Sequence, residues 1–250
     1  MKFFYPLCCL TLTSWLSANQ AAGQGQPRDS SLLAAATTRL TSLQMAPAEG
    51  NSNLYNGTEY VRYEKTFRSV KGHQFFQAAE ELTGNIFYDG ALYTNVPLQY
   101  DIRYDQLVLR FPQSPYQLKL HTEKVGYFTV NRHRFVQING PAPATAGALV
   151  PGFYDVLYEG RTRVLAKRIK KIQETLTGGG VELAFLESNR FFLEKEGKPY
   201  PISGKGDLLT ALADKKKELR QFVSAQKLSF NKDQQEASFV KLARYYDTLR

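Results

Sequence analysis

Hydrophobic positions along this chain change their period from one stretch to the next. From Phe3 to Leu16 they form an almost unbroken run. Between Ser30 and Met45, Leu33, Ala36, Leu40 and Leu43 recur at near-helical spacing, with Ser30 or Ser31 placed to cap the first turn, so a helix is expected there. Pro47 and Gly50-Asn51-Ser52-Asn53 end it. From Leu54 the period shortens to two. In Gln106 to Phe111 one face takes Leu107, Leu109 and Phe111, and in Tyr116 to His121 it takes Tyr116, Leu118 and Leu120, while the opposite faces are mostly polar. Successive side chains of a strand point to opposite faces, so this alternation predicts a half-buried antiparallel sheet.

Tight-turn pairs recur between the apolar runs: Asp89-Gly90, Asn131-Arg132, Glu159-Gly160, Ser188-Asn189 and Glu196-Gly197. Short loops with Gly or Asn tolerate positive φ and suit hairpins. Strands are therefore expected at 59–65, 84–89, 91–99, 106–111, 116–121, 126–130, 133–138, 153–158, 161–169, 181–187 and 190–195, joined as successive hairpins into a meander. Pro97 lacks an N–H, which puts its strand at an edge or beside a bulge. Asn139 to Gly152, rich in Pro, Ala and Gly, and Gln173 to Gly180, ending in three glycines, read as surface loops. After Ser203 the period lengthens again. Leu208, Leu209, Leu212, Leu219, Phe222 and Val223 share one side of two short helices divided at Asp214, and Asn231 caps a last helix bearing Phe239, Leu242, Ala243, Tyr246 and Leu249. The expected class is α+β: a predominantly antiparallel β meander, as a curved sheet, sandwich or barrel-like form, with an N-terminal helix and C-terminal helices packed on it. Its parts are a leader at 1–23, helix and linker at 24–53, the β-rich meander at 54–202 and a helical segment at 203–250 belonging to the same domain.

Composition changes the reading of the first apolar run. Cys8, Cys9 and Trp15, the only residues of their types, all lie within it. Lys2 precedes the run and the small residues Ala18 to Gly23 follow it, the arrangement of a secretory signal peptide. The run is shorter than the roughly 20 residues that cross a bilayer, and no other window approaches that length. Cleavage after Gly23 would leave a chain without cysteine or tryptophan, which excludes disulfides, thiol catalysis and thiolate metal sites. The net charge, +9 for the full chain, is then expected to serve not nucleic acid, a partner that export would remove, but an anionic envelope surface or glycan.

Candidate chemistry is sparse. His73, His121 and His133 stand far apart in sequence and none belongs to a metal-ligand pair, so no metal and no cofactor is expected. Asp89, Asp101, Asp105 and Asp155 fall near strand ends, where a hydrolase can set an acid/base pair, but Asp in such places ordinarily bonds the backbone of its own turn. Arg161 to Lys171 is the densest charge feature. On one strand Arg161, Arg163, Lys167 and Lys171 would align on a single face suited to phosphate or sulfate groups, and basic residues on a sheet edge also block aggregation. All tyrosines but Tyr5 lie beyond the leader, where strand packing accounts for most of them.

The strings Leu54 to Val61, Lys71 to Phe76, Tyr88-Asp89-Gly90, Asn95 to Asp101, Asp214 to Leu219 and Tyr245-Tyr246 resemble a family of uncharacterised exported proteins of Bacteroidota, over roughly 54–250. The resemblance implies export and adds no mechanism. Together these observations lead to the expectation of an exported, non-catalytic binding or structural protein of the bacterial cell envelope. The alternative is an envelope hydrolase using carboxylates or His133.

Overall fold

The computed structural model describes residues 52–62, 67, 69–140, 149–178 and 180–249. The expected leader, the helix expected within 30–45 and most of the loop expected at 139–152 lie outside them. The strands are β1 (Thr58–Glu59), β2 (Ser69–Lys71), β3 (Leu82–Tyr88), β4 (Ala91–Asp101), β5 (Gln106–Arg110), β6 (Gln117–Lys119), β7 (Val125–Val130), β8 (His133–Ile138), β9 (Gly152–Glu159), β10 (Thr162–Lys167), β11 (Lys170–Thr177), β12 (Gly180–Glu187), β13 (Arg190–Lys195) and β14 (Lys198–Ile202). Three helices follow, α1 (Lys205–Ala211), α2 (Lys216–Ala225) and α3 (Gln235–Thr248). The molecule is thus mostly antiparallel β with C-terminal helices.

Turn chemistry places four of the five expected hairpins; Ser188-Asn189 instead links β12 to β13, which belong to different sheets and do not pair. Asp89 and Gly90, Asn131 and Arg132, and Glu196 and Gly197 all have positive φ, as two-residue loops between right-twisted strands require. The large sheet runs β1-β6-β5-β4-β3-β7-β8-β9-β10-β13-β14. It departs from a plain meander at β7, which returns past β6, β5 and β4 to pair with β3. Period-two patterning fixes the face that a strand buries and leaves its neighbour open. β4 is an interior strand, and Pro97 sits beside its bulge, where Asn95 has φ 56° and pairing to β5 begins only at Leu98. The segment read as a loop at 173–180 is a hairpin: β11 pairs with β12, and β12 pairs in parallel with β2 in a separate sheet. Most of β11 is exposed on both faces, so it carries no alternation to read.

Ring contacts show that the large sheet coils. Tyr100 on β4 lies four strands from Phe153 on β9, a separation of about 19 Å if the sheet were flat. Their ring centroids are 5.9 Å apart, and Tyr100 also meets Phe128 and Phe135 edge-on at 5.1 and 4.9 Å. β3 to β9 therefore wrap an aromatic core with Ile86, Tyr88 and Leu98. Beyond β9 the same face is covered instead by helices: Val164, Ala166, Phe191 and Leu193 pack with Leu208, Leu219, Phe239 and Leu242. Asn231 does not cap α3, which starts at Gln235. Its side chain accepts from the N–H of Gln234 and holds the preceding turn.

Candidate functional site

Asp155 stands in the middle of β9, on the face where the aromatic core gives way to the helix-covered core. It pairs with Phe135 on one side and Ala166 on the other. A lone carboxylate among Phe153, Tyr154, Val156 and Leu157 must find compensation when buried. At 1% exposure, Asp155 finds it in two bases. His133, the first residue of β8, donates from Nδ1 at 2.8 Å, and Arg168, just past β10, donates from Nε at 2.9 Å and from Nη2 at 2.5 Å. The other edge of the guanidinium meets Glu236 in the first turn of α3, through Nη1 at 2.5 Å and Nη2 at 3.0 Å. Arg168 is 6% exposed, so both carboxylates are needed to hold its charge away from water.

His133, Arg168 and Glu236 line a cleft of about 340 Å³ whose remaining wall is Phe76, Gln77, Ile102, Glu187 and Asn189, with Asp155 behind them. Phe76 supplies apolar surface, with the His133 ring edge-on at 5.0 Å and Arg168 over its face at 5.8 Å. Asn189 is fixed by accepting from the N–H of Ile169. Four of the guanidinium N–H groups of Arg168 are engaged by Asp155 and Glu236. The volume falls within the range of small-molecule sites. Among the described residues the lining contains no serine, threonine or cysteine.

The basic run lies across several elements rather than along one stripe. Arg161 precedes β10 and donates to the carbonyls of Tyr246 and Leu249 at the end of α3. Arg163 on β10 pairs with Glu159 and Glu194. Lys167, on the same strand face but 8% exposed, donates to Asp105 at 2.5 Å and to the Phe153 carbonyl at 3.1 Å. Lys171 is exposed on β11, in the other sheet. The run divides because the chain leaves the large sheet after Lys167.

Asp105 also accepts from Tyr100, whose phenol is held well above its ordinary range by burial and by that carboxylate. Gly152 makes room for the pair, because a Cβ there would fall 2.0 Å from Asp105 Oδ2 and 2.3 Å from Lys167 Nζ. Asp101 performs the expected turn duty by accepting from the N–H groups of Arg103 and Tyr104. His121 contacts Asn56 and Glu123, and His73 lies beside Lys170, with its imidazole held low by burial and then by that lysine. Burial likewise holds the Lys170 ammonium below its usual range.

Sequence reasoning kept His133 and the carboxylates only for the hydrolase alternative, gave Asp155 ordinary turn duty and did not single out Glu236. The signal was available only for Asp155, a charge inside an apolar run. Nothing local marks Glu236, which reaches the site through packing of α3 on β9 and β10. Among the described residues no group of His, Cys, Asp and Glu is arranged to hold a metal ion, and no helix is long and apolar enough to cross a membrane. No protein-family model, curated protein or solved structure matches the chain.

Proposed function

We propose that this chain is an exported, non-catalytic binding protein of the bacterial cell envelope, and that the cleft between β8, β10 and α3 holds a small polar ligand. One observation carries the reading: the polar groups of the cleft are already held by one another, His133 and Arg168 on Asp155 and Arg168 on Glu236. Groups held in place before the ligand arrives lose little freedom on binding, which favours affinity. Export is supported by the leader pattern of residues 1–23 and by the resemblance to exported Bacteroidota proteins. Association with an anionic surface draws its support from exposed Lys171 alone, since Arg161, Arg163 and Lys167 are engaged internally. NMR titration with free sugars and short peptides tests the binding reading. Shifts confined to Gln77, Glu187 and Asn189, weakened in Glu187→Leu, are expected, and shifts elsewhere or unaffected by that change would refute it.

A second reading, an envelope hydrolase, is favoured by the His133–Asp155 pair, whose carboxylate orients the imidazole as a base needs. It requires turnover of an ester, glycan or peptide that is lost in His133→Gln with the melting temperature retained.

A further inference from the structure

The cleft wall contains a strained residue held by two hydrogen bonds, one of which depends on the charge state of His133. Gln77 has φ 55°, and the Ala78 N–H bonds to the Phe76 carbonyl at 2.7 Å, closing a three-residue turn of the rare positive-φ kind. On either side the backbone is pinned, Phe76 by its N–H to the Tyr100 carbonyl and Ala79 by accepting from Gln99. Only Gln77 and Ala78 span the gap. The Gln77 side chain crosses to the β7–β8 turn, where its amide nitrogen lies 3.1 Å from His133 Nε2 and its oxygen accepts from Asn131 Nδ2 at 2.5 Å.

Asp155 decides the direction of these bonds. A carboxylate only accepts, so the His133 proton sits on Nδ1 and Nε2 of the neutral ring accepts from Gln77. Protonation turns Nε2 into a donor that faces the Gln77 amino group. Rotating the amide repairs that contact but turns the amino group towards the amino group of Asn131. One bond is lost in either case, and the strained turn loses support.

The charged groups around the ring confine the change to Nε2. Asp155 from β9 remains on Nδ1 in both states, Glu236 from α3 and Glu187 from the end of β12 favour the added charge, and Arg168 after β10 opposes it. We propose that Gln77 is an acid-released latch on the cleft: with His133 neutral it bridges to the β7–β8 turn, and with His133 protonated Gln77–Ala78 detaches and the cleft mouth opens. The proposal rests on the cleft being the ligand site.

The test uses ligand-free protein. Imidazole resonances of His133 and amide hydrogen exchange at Ala78, corrected for its intrinsic rate, are followed from about pH 8 to about pH 5, the span over which imidazoles change charge. Loss of protection by about tenfold or more at Ala78, with the midpoint of the His133 titration, is expected. Gln77→Gly, which keeps the backbone but removes the bridge, is expected to exchange fast at every pH, and His133→Gln to remove the pH dependence. Protection at Ala78 that does not follow His133 would overturn the latch, and so would the amides of Gln77 and Asn131 turning over together with Ala78 still protected. A latch that opens on schedule in a protein that binds no ligand would sink the binding reading alone.

Discussion

Asp155 joins the two bases of the site, His133 and Arg168. Replacing it with Asn leaves the 6% exposed Arg168 with Glu236 as its one carboxylate partner. Removing one partner of a buried ion pair costs about 3–5 kcal/mol, so Asp155→Asn is expected to lower the free energy of unfolding by that order in denaturant titration. A loss within error of zero would show that water reaches the pair. Gly152→Ala is expected to destabilise too, because φ there is +133° and the new methyl meets the Asp105–Lys167 pair, and a melting temperature equal to that of the parent would contradict this. At this scale the sequence was legible where chemistry is local. Asp101 could be read as a turn residue because two of its partners lie two and three positions on, while its other oxygen accepts from distant Tyr60. His133 and Asp155 could not be joined, since the bond between them exists only once β8 and β9 are paired.

Among the elements, α3 does most to place the site, and it is tied at both ends. Glu236 in its first turn holds Arg168, while Asp247 in its last accepts from Tyr158, the Thr162 N–H and the Thr162 hydroxyl. Asp247→Ala strands these donors, at about 1–3 kcal/mol, and is expected to speed hydrogen exchange in the last turns of α3. Unchanged exchange would mean that apolar packing alone holds the helix. The link between α1 and α2 carries a pH dependence. Hydrogen bonds from Lys195 and Tyr246 hold the Asp214 carboxyl below its ordinary range, and those from Ser203 do the same for Asp207. A folded-state value below the unfolded one gives stability that is present above about pH 4 and lost as the pH falls further. Asp214→Asn is expected to flatten the fall in melting temperature below that pH, and an unchanged slope would refute the assignment. The C-terminal helices and most hairpins were legible as elements because each has its own period or turn pair, whereas Ser188-Asn189 joins two sheets. β2, β11 and β14 were not: β2 is short, β11 is exposed on both faces, and Pro199 and Pro201 break the strand signal in β14 while guarding a sheet edge.

The whole molecule joins two packing solutions on one sheet, a coiled aromatic half and a helix-covered half, and the cleft lies where they meet. That seam is invisible in the pattern of apolar residues, which continues across it unchanged. Export is the remaining expectation at this scale. Protein recovered from outside the cytoplasm is expected to start near Gln24 and to show tyrosine but no tryptophan fluorescence, because Trp15 would leave with the leader. Tryptophan emission from such material would contradict cleavage. The central claim, that the seam is a binding cleft, is tested most directly by native mass spectrometry of protein purified from its native host. The account requires a small polar molecule retained by the parent chain and lost in Glu187→Leu. A bare mass for the parent, or equal retention by the variant, would contradict it.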